Sequence, residues 1–278
     1  MIPQITTRPG SVDVHIDGER FGSYTSEGAA PGFTVLHAAG LRPVTQTDPA
    51  AGVALWVEHG NVTGLAVGLP VTAEGPAGRI LSRALIVRRG AQSVGFLHEC
   101  SWVAPDGESL LSDTRTVRIV RGPSAGIILD ITLALEAPAG KSVEFGRTDE
   151  ALLCLRVAPA LCPAGGGQMR SSEDQFGPEA IHGRQAAWCA CNGVVAAETV
   201  GLAFLDHPEN PWHPAPWVCR EDGLISPSPF PWRAFELEPG RTLTLKYRIL
   251  VHSGYVEAGW VHARLRDWVQ TSSRGERG

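Results

Sequence analysis

The chain of 278 residues is 43% hydrophobic and 19% charged, which is ordinary for a globular protein of one large domain or two small ones. Its net charge of −5 and pI near 6.0 argue against a nucleic-acid partner, which would need a basic face. Because the sequence contains neither a run of about 18 apolar residues nor a secretory signal, we predict no membrane span and expect a cytoplasmic protein with reduced cysteines.

Strand patterns dominate the first half of the chain. Residues Val12–Asp17 alternate with a period of two, as half-buried strands do. Pro105 and Gly107 predict a tight turn between two long alternating runs, because proline presets φ and glycine accepts a positive φ. Strands joined in this way form an antiparallel meander. The predicted strands are Val12–Asp17, Val53–Gly60, Arg79–Gly90, Ser93–Val103, Ser109–Val120 and Ile127–Ala137.

The second half continues with strands and ends with a helix. Asn192-Gly193 predicts a turn, Pro239-Gly240 predicts a hairpin turn, and Val256–Val269 has an apolar helical face. This pattern predicts an all-β fold, a large antiparallel β-sandwich with one C-terminal helix. The predicted strands of this half are Leu152–Ala158, Ala186–Cys191, Val200–Leu205, Phe235–Leu237 and Thr242–His252.

We expect residues 1–270 to form a single sandwich domain and the polar residues 271–278 to be a disordered tail. Exposed sandwich edges are compatible with a homodimer, although nothing in the sequence specifies one. The sequence lacks a phosphate-binding loop, a dinucleotide-binding glycine motif, a zinc-protease motif and a serine-hydrolase motif. We therefore predict no cofactor and no metal site.

The segment 206–232 has the most unusual composition. It holds seven of the 21 prolines and three of the eight tryptophans, together with two histidines. Proline fixes φ and has no N–H, so the segment is predicted to be a long loop and not a helix or a central strand. A long loop with this many aromatic and titratable side chains is more often a binding surface than a connector. We therefore expect a small-molecule site here.

Several separated motifs between about residues 90 and 255 resemble one family. They are FLHECSW (Phe96–Trp102), SDTRTVRI, ILDITLALEA, VEFGRTDEALLCLRV, LDHPENP, PAPWVCREDGL and YRILVHSG. Their order and spacing are similar to those of the bacterial family labelled methane oxygenase PmoA-like. The resemblance implies a soluble β-sandwich related to carbohydrate-acting sandwiches, and processing of sugars or keto-sugars.

The chain departs from that family's pattern at three places. Ala50, Ala51 and Gly52 stand where the family has histidines, Cys219 replaces a histidine in a WHVR-type motif, and Asp149 replaces a lysine. If those histidines bind metal or carry protons in relatives, this chain either has a different chemistry or no longer catalyses. Both alternatives stay open.

His207 is the first candidate for proton transfer. It follows Asp206, and a nearby carboxylate can hold an imidazole in one tautomer that acts as a general acid or base. The alternative is that both side chains hydrogen-bond the loop backbone. His213 lies six residues further on, which is not a recognised metal spacing. His213 and Asn210 are predicted to contact the substrate.

His98 is the second candidate for proton transfer. It shares a strand face with Phe96 and Cys100, so the alternative is a satisfied core histidine. The match of FLHECSW to the family motif favours a place in the pocket. Trp102 lies on the same face and is predicted either to pack or to contact the substrate.

Arg156 interrupts an apolar strand, where a charge is costly unless it is paired or faces a cleft. It either forms a salt bridge with Glu144, Asp149 or Glu150, or polarises a substrate carbonyl. Arg220 presents the same alternatives and is predicted to face the ligand.

Four aromatic residues of the segment are candidates to stack on the apolar faces of sugar rings. The alternative is that they are buried and hold the loop in place. They are Trp212, Trp217, Phe230 and Trp232.

Together these residues predict a cofactor-independent enzyme that acts by proton transfer on a sugar-like or other polar cyclic small molecule, by elimination, isomerisation, cyclisation or hydrolysis. Two alternatives are a non-catalytic carbohydrate-binding sandwich and a family member repurposed as a secondary-metabolite cyclase. The predicted catalytic residues are His207, His98, Asp206 and Arg156. The predicted substrate-binding residues are Arg220, Trp217, Trp212, His213, Trp102 and Asn210.

Overall fold

Antiparallel strands form most of the structure, a computed structural model that describes residues 3–68, 77–123, 126–148, 152–230 and 233–275. The first strands are β1 (Gln4–Arg8), β2 (Ser11–Ile16), β3 (Glu19–Thr25), β4 (Gly32–Phe33), β5 (His37–Ala38), β6 (Arg42–Pro43), β7 (Leu55–Val57), β8 (His59–Val62) and β9 (Leu65–Val67). Four long strands follow: β10 (Arg79–Arg89), β11 (Ser93–Val103), β12 (Ser109–Arg121) and β13 (Ile127–Glu136). The remaining elements are β14 (Val143–Phe145), β15 (Leu153–Arg156), β16 (Gln168–Ser171), α1 (Pro178–Ile181), β17 (Trp188–Val195), β18 (Glu198–Asp206), β19 (Trp217–Cys219), β20 (Leu224–Pro227), β21 (Phe235–Leu237), β22 (Thr242–Ser253) and α2 (Ala258–Gly275).

Two eight-stranded sheets form the sandwich. The short-strand sheet has the order β1-β2-β3-β4-β7-β15-β20-β19, and the long-strand sheet has the order β10-β11-β12-β13-β22-β18-β17-β16. A four-stranded sheet (β21-β14-β8-β9) and the pair β5-β6 complete the described strands. The prediction of an all-β sandwich with a C-terminal helix is therefore confirmed, and so is the meander, which is β10 to β13.

The main core lies between the two sheets. Strand β13 shows why, because its residues are alternately buried and partly exposed, so that one face of the strand enters the core. Contacts cross the core from sheet to sheet: Tyr24 of β3 packs on Phe96 of β11, and Phe204 of β18 packs on Trp217 of β19.

Helix α2 covers the outer face of the long-strand sheet. Strands β17, β18 and β22 are consequently buried on both faces, with one face toward the core and the other toward the helix. Val261 and Trp268 are the helix residues most deeply buried there, as the apolar stripe in the sequence predicted. Cys189 and Cys191 share the core face of β17, as small buried residues.

Three local predictions are wrong. Asn192-Gly193 lies inside β17, and the hairpin turn is at Ala196-Ala197, where both φ angles are positive. The Asn192 side chain instead accepts the Val256 N–H at 2.6 Å, and a Cβ on Gly193 would lie 2.0 Å from the Ala160 carbonyl oxygen. Tertiary contacts, and not a turn, therefore explain why Asn192 and Gly193 occupy these positions.

Strands β21 and β22 do not form the predicted hairpin. Strand β21 pairs with β14, whereas β22 pairs with β13 and β18. The segment 206–232 is also not a simple loop. It contains β19 and β20, and β20 lies between β15 and β19 in the short-strand sheet. The prolines are accommodated because Pro216 precedes β19 and Pro227 ends β20.

Helix α2 continues through residues 271–275, where the sequence predicted a disordered tail, and residues 276–278 lie outside the described residues. The division into a single domain stays a prediction. In the part of the chain that the structure describes, no helix combines the length and apolarity needed to cross a membrane.

Candidate active site

Asp206 is the last residue of β18, an interior strand of the long-strand sheet. Side chains alternate along a strand, so Asp206 points to the core side with Phe204, and His207 points to the opposite side, toward α2. Asp206 is 1% exposed. The predicted pair of Asp206 and His207 therefore does not form, because strand geometry separates the two side chains.

Asp206 pairs with His213 instead. The Nδ1 atom of His213 lies 2.8 Å from Oδ2 of Asp206. An ionised carboxylate only accepts hydrogen bonds, so a neutral imidazole bound to it donates from Nδ1 and has Nε2 as its proton acceptor. Among the described residues, no partner contacts this Nε2. A histidine held in this way can take a proton at Nε2, while the carboxylate stabilises the imidazolium that forms.

Three donors hold the Asp206 carboxylate. Besides His213, it accepts the Asn210 side-chain amide at 2.7 Å and the Ala215 backbone N–H at 3.0 Å. Asn210 is itself fixed to the backbone of Lys246, with distances of 2.8 Å to the carbonyl and 2.6 Å to the N–H. The predicted substrate contact Asn210 is therefore placed behind the histidine, where it positions Asp206.

Two consecutive turns bring His213 back onto Asp206. The N–H of Asn210 donates to the His207 carbonyl at 2.9 Å, and the N–H of His213 donates to the Asn210 carbonyl at 3.2 Å. The His213-Pro214 peptide bond is cis. Tyr247 faces Asp206 from β22, and burial together with this carboxylate raises the pKa of Tyr247 well above its ordinary value. The phenol therefore stays protonated.

His213 lines a cavity of about 380 Å³, called the His213 cavity below. Its volume falls near the lower end of the roughly 300–1,000 Å³ typical of small-molecule sites. The side-chain amide of Gln185 is anchored on the Pro214 carbonyl at 2.9 Å. The described lining residues are Gln185, Trp212, His213, Pro216, Pro229 and Arg233.

Trp212 forms an aromatic wall of this cavity. Its ring meets Phe230 and Phe235 edge-on, at centroid distances of 5.5 and 5.0 Å. Its φ is +70°, in the left-handed region that bulky residues rarely adopt. Such backbone strain is concentrated at functional sites. Trp232 lies outside the described residues.

His207 faces away from the cavity. Its ring packs edge-on against Trp268 of α2 at 4.4 Å, and its Nδ1 accepts the Glu209 N–H at 3.1 Å. Burial lowers the pKa of His207, and nearby Lys246 adds to this effect. The structure thus gives His207 the role that the sequence left as its alternative, a histidine that bonds the loop backbone.

His98 and Trp102 are residues of β11 that belong to a buried polar cluster, and neither is among the described residues lining the His213 cavity. His98 contacts the Tyr24 hydroxyl at 2.7 Å and the Ser82 hydroxyl at 2.9 Å. The indole N–H of Trp102 donates to Asp113 at 2.6 Å. Both are satisfied core residues, and burial lowers the pKa of His98 to about 4.

Arg156 is held by two carboxylates. Its Nε donates to Asp48 at 2.7 Å and its Nη1 lies 2.8 Å from Asp222. Neither partner is one of those predicted: Glu144 does not contact it, and residues 149–150 lie outside the described residues. The salt-bridge alternative therefore describes Arg156, which does not line the His213 cavity.

The two remaining predicted residues, Trp217 and Arg220, are also outside the cavity. Trp217 is 1% exposed, and its indole N–H donates to the Ala186 carbonyl at 2.8 Å, so it cannot stack on a ligand. Arg220 is exposed beyond β19. Of the ten predicted site residues, the structure brings together Asp206, Asn210, Trp212 and His213.

Sequence reasoning did not select Gln185 and Arg233. Arg233 directly follows the proline-rich segment 206–232, and that position was the available signal. Gln185 precedes β17 and carried no signal, because its place depends on the bridge between Gln185 and Pro216. Among the described residues, no group of three or more His, Cys, Asp or Glu side chains is arranged to hold a metal ion.

One family model matches residues 11–266, nearly the whole chain. The chain belongs to DUF6807, a family of unknown function. The resemblance to the PmoA-like family is thereby corrected, because the model that matches is that of DUF6807. The departures at Ala50, Cys219 and Asp149 were defined against the pattern of that other family, so they carry no inference about the chemistry of this chain. No curated protein matches the chain.

Two solved structures are similar to this DUF6807 chain at a low level. One is a galactose mutarotase-like protein from Lactobacillus casei ATCC 334, with a TM-score of 0.41, 10% identity, and coverage of 90% of this chain and 100% of that one. Another is a putative aldose 1-epimerase from Escherichia coli K12, with a TM-score of 0.37, 10% identity, and coverage of 90% and 99%. Similarity at this level carries no argument about activity.

Proposed function

We infer that this chain is an enzyme that moves a proton to or from a small polar cyclic molecule, with His213 as the general base and acid. The observation that carries the proposal is the Asp206–His213 pair at the wall of a cavity. An imidazole whose Nδ1 is bound by a buried carboxylate keeps Nε2 available as a base.

The lining favours proton transfer over covalent catalysis. The described lining residues include no hydroxyl and no thiol, so none of them offers a nucleophile to His213. The six cysteines are all buried, and burial raises the pKa of Cys100 and Cys162 to about 12 and about 11. Reactive cysteines have lowered pKa values, so the thiols of Cys100 and Cys162 have the opposite character.

The shape and chemistry of the cavity support a polar cyclic ligand such as a sugar. Trp212 presents an apolar surface, and Gln185, His213 and Arg233 provide polar groups. In the proposed reaction, Nε2 of His213 takes a proton from the substrate, Asp206 stabilises the imidazolium, and the proton returns to the substrate at a second position or leaves with a departing group.

The test compares two histidines of the same segment. Wild type, His213→Asn and His207→Asn are incubated with sugars, keto-sugars and small polar metabolites, and products are followed by mass spectrometry. We expect product formation to fall by about 10²–10⁴-fold in His213→Asn and to stay near wild type in folded His207→Asn. Circular dichroism checks the folding of both variants.

Undiminished activity of His213→Asn would contradict the proposal. A compound that co-purifies with wild type without being converted would favour the alternative of a carbohydrate-binding sandwich.

A further inference from the structure

The charge facing the His213 cavity is positive. Arg233 is the only residue with a permanent charge among the described lining residues. The carboxylate that contacts His213, Asp206, is 1% exposed and already accepts three hydrogen bonds. An anionic group in the cavity therefore meets a cation, and the described lining residues include no carboxylate.

Arg233 differs in its contacts from the arginines that line the protein interior. Arg115 is paired with Asp113 and Arg248 with Asp130, both through two nitrogen atoms. Within the described residues, Arg233 has no hydrogen bond and no ion pair, and it is exposed. Its guanidinium donors, which fit a carboxylate in bidentate fashion, are free for a ligand.

We propose that the substrate is a polyhydroxylated carboxylic acid, such as a sugar acid, whose carboxylate binds Arg233 while its ring lies between Trp212 and His213. This inference rests on the proposed function. It also adds a catalytic benefit, because a guanidinium bound to the substrate stabilises negative charge that develops when His213 removes a proton nearby.

A carboxylate fits this site better than a phosphate group. Phosphate sites usually combine several cations with a cradle of backbone N–H groups at a helix N-terminus or glycine loop. The described lining offers one guanidinium and the amide of Gln185, together with two prolines, which have no N–H to donate.

The test is equilibrium binding by calorimetry with three kinds of probe: hexuronates and hexonates, the matching neutral hexoses, and hexose phosphates. Wild type is expected to bind at least one acid about tenfold or more tightly than the matching neutral sugar. Arg233→Gln should abolish that preference, and Arg233→Lys should retain part of it, because lysine keeps the charge but not the planar fork.

Arg241→Gln is the matched control, because Arg241 is an exposed arginine that is not among the described residues lining the cavity, and this variant should behave as wild type. Equal or tighter binding of neutral sugars, a preference that survives in Arg233→Gln, tighter binding of hexose phosphates, or no binding of any acid would each overturn the inference.

The two proposals fail in different ways. His213-dependent turnover of neutral sugars without preference for acids would overturn the inference and leave the proposed function standing. Arg233-dependent binding of acids without any turnover would support the inference about the ligand and contradict the proposed enzyme.

Discussion

Trp212 combines an aromatic wall with a strained backbone. At a φ of +70°, an L-residue costs roughly 1–2 kcal/mol relative to the right-handed region, whereas glycine does not. We expect Trp212→Gly to be about 0.5–1 kcal/mol more stable than Trp212→Ala, as measured by urea unfolding, because both lose the ring but only glycine relieves the strain. Both variants should bind ligand more weakly than Trp212→Phe.

The control is Ala263 in the middle of α2, where φ is helical. There glycine should be less stable than alanine by about 1 kcal/mol. If the alanine variant were more stable than the glycine variant at position 212 as well as at position 263, the backbone at Trp212 would not be strained in solution.

At the residue scale, composition indicated the segment of the candidate site better than it indicated which of its side chains meet. The segment that contains Trp212 and His213 stood out in the sequence because it concentrates tryptophan together with proline, which restricts the backbone. The pairing of Asp206 was not readable, since strand alternation sends His207 to the opposite side and two turns bring His213 back. The predicted roles in catalysis and binding stay predictions.

At the scale of elements, helix α2 and the long-strand sheet stabilise each other through Trp268. This side chain is 6% exposed, packs on His207 and lies 4.7 Å below the Arg248 guanidinium. Trp268→Ala should lower the free energy of unfolding by about 3–5 kcal/mol, because it creates a cavity. Trp260→Ala, at a half-buried position of the same helix, should cost less than half as much.

Urea unfolding at pH 7 measures the free energy of unfolding of Trp268→Ala and Trp260→Ala. Folded Trp268→Ala should keep the ligand affinity of wild type, because α2 covers the face opposite to the His213 cavity. Equal costs for the two variants would contradict the packing described for α2.

The length of a strand and the distance in sequence to its partner decide whether the strand can be predicted from the sequence. Strands β10 to β13 are long, are joined by local turns and alternate between apolar and polar residues, so their sequence pattern is sufficient to predict them. Strands β19 and β20 have three and four residues, and they are fixed by pairing with β15, distant in sequence. Short strands of this kind depend on tertiary contacts, which override local propensity.

At the scale of the whole molecule, buried neutral histidines set the dependence of stability on pH. Burial lowers the pKa of His59 and of His98 to about 4, and nearby Arg115 further disfavours the charged form of His98. In the unfolded chain both titrate near 6.5. Between these values the unfolded state binds more protons than the folded state, so stability is full above pH 6.5 and is lost as the pH falls toward 4.

Each of these two histidines should therefore lower the free energy of unfolding by about 1–2 kcal/mol between pH 7 and pH 5. The lowered pKa of His207 acts in the same direction. Asp222 and Glu209 have lowered pKa values as well, so their contributions to stability are lost only below the ordinary pKa range of carboxylates and do not obscure the window between pH 7 and pH 5.

Urea unfolding at constant ionic strength, at pH 7, 6 and 5, measures how steeply the free energy of unfolding depends on pH. His98→Gln cannot titrate, so its stability should fall less steeply with acid than that of wild type, even though it starts from a lower value. A wild-type stability that is flat or rises from pH 7 to pH 5 would mean that these histidines are not held neutral in the folded protein.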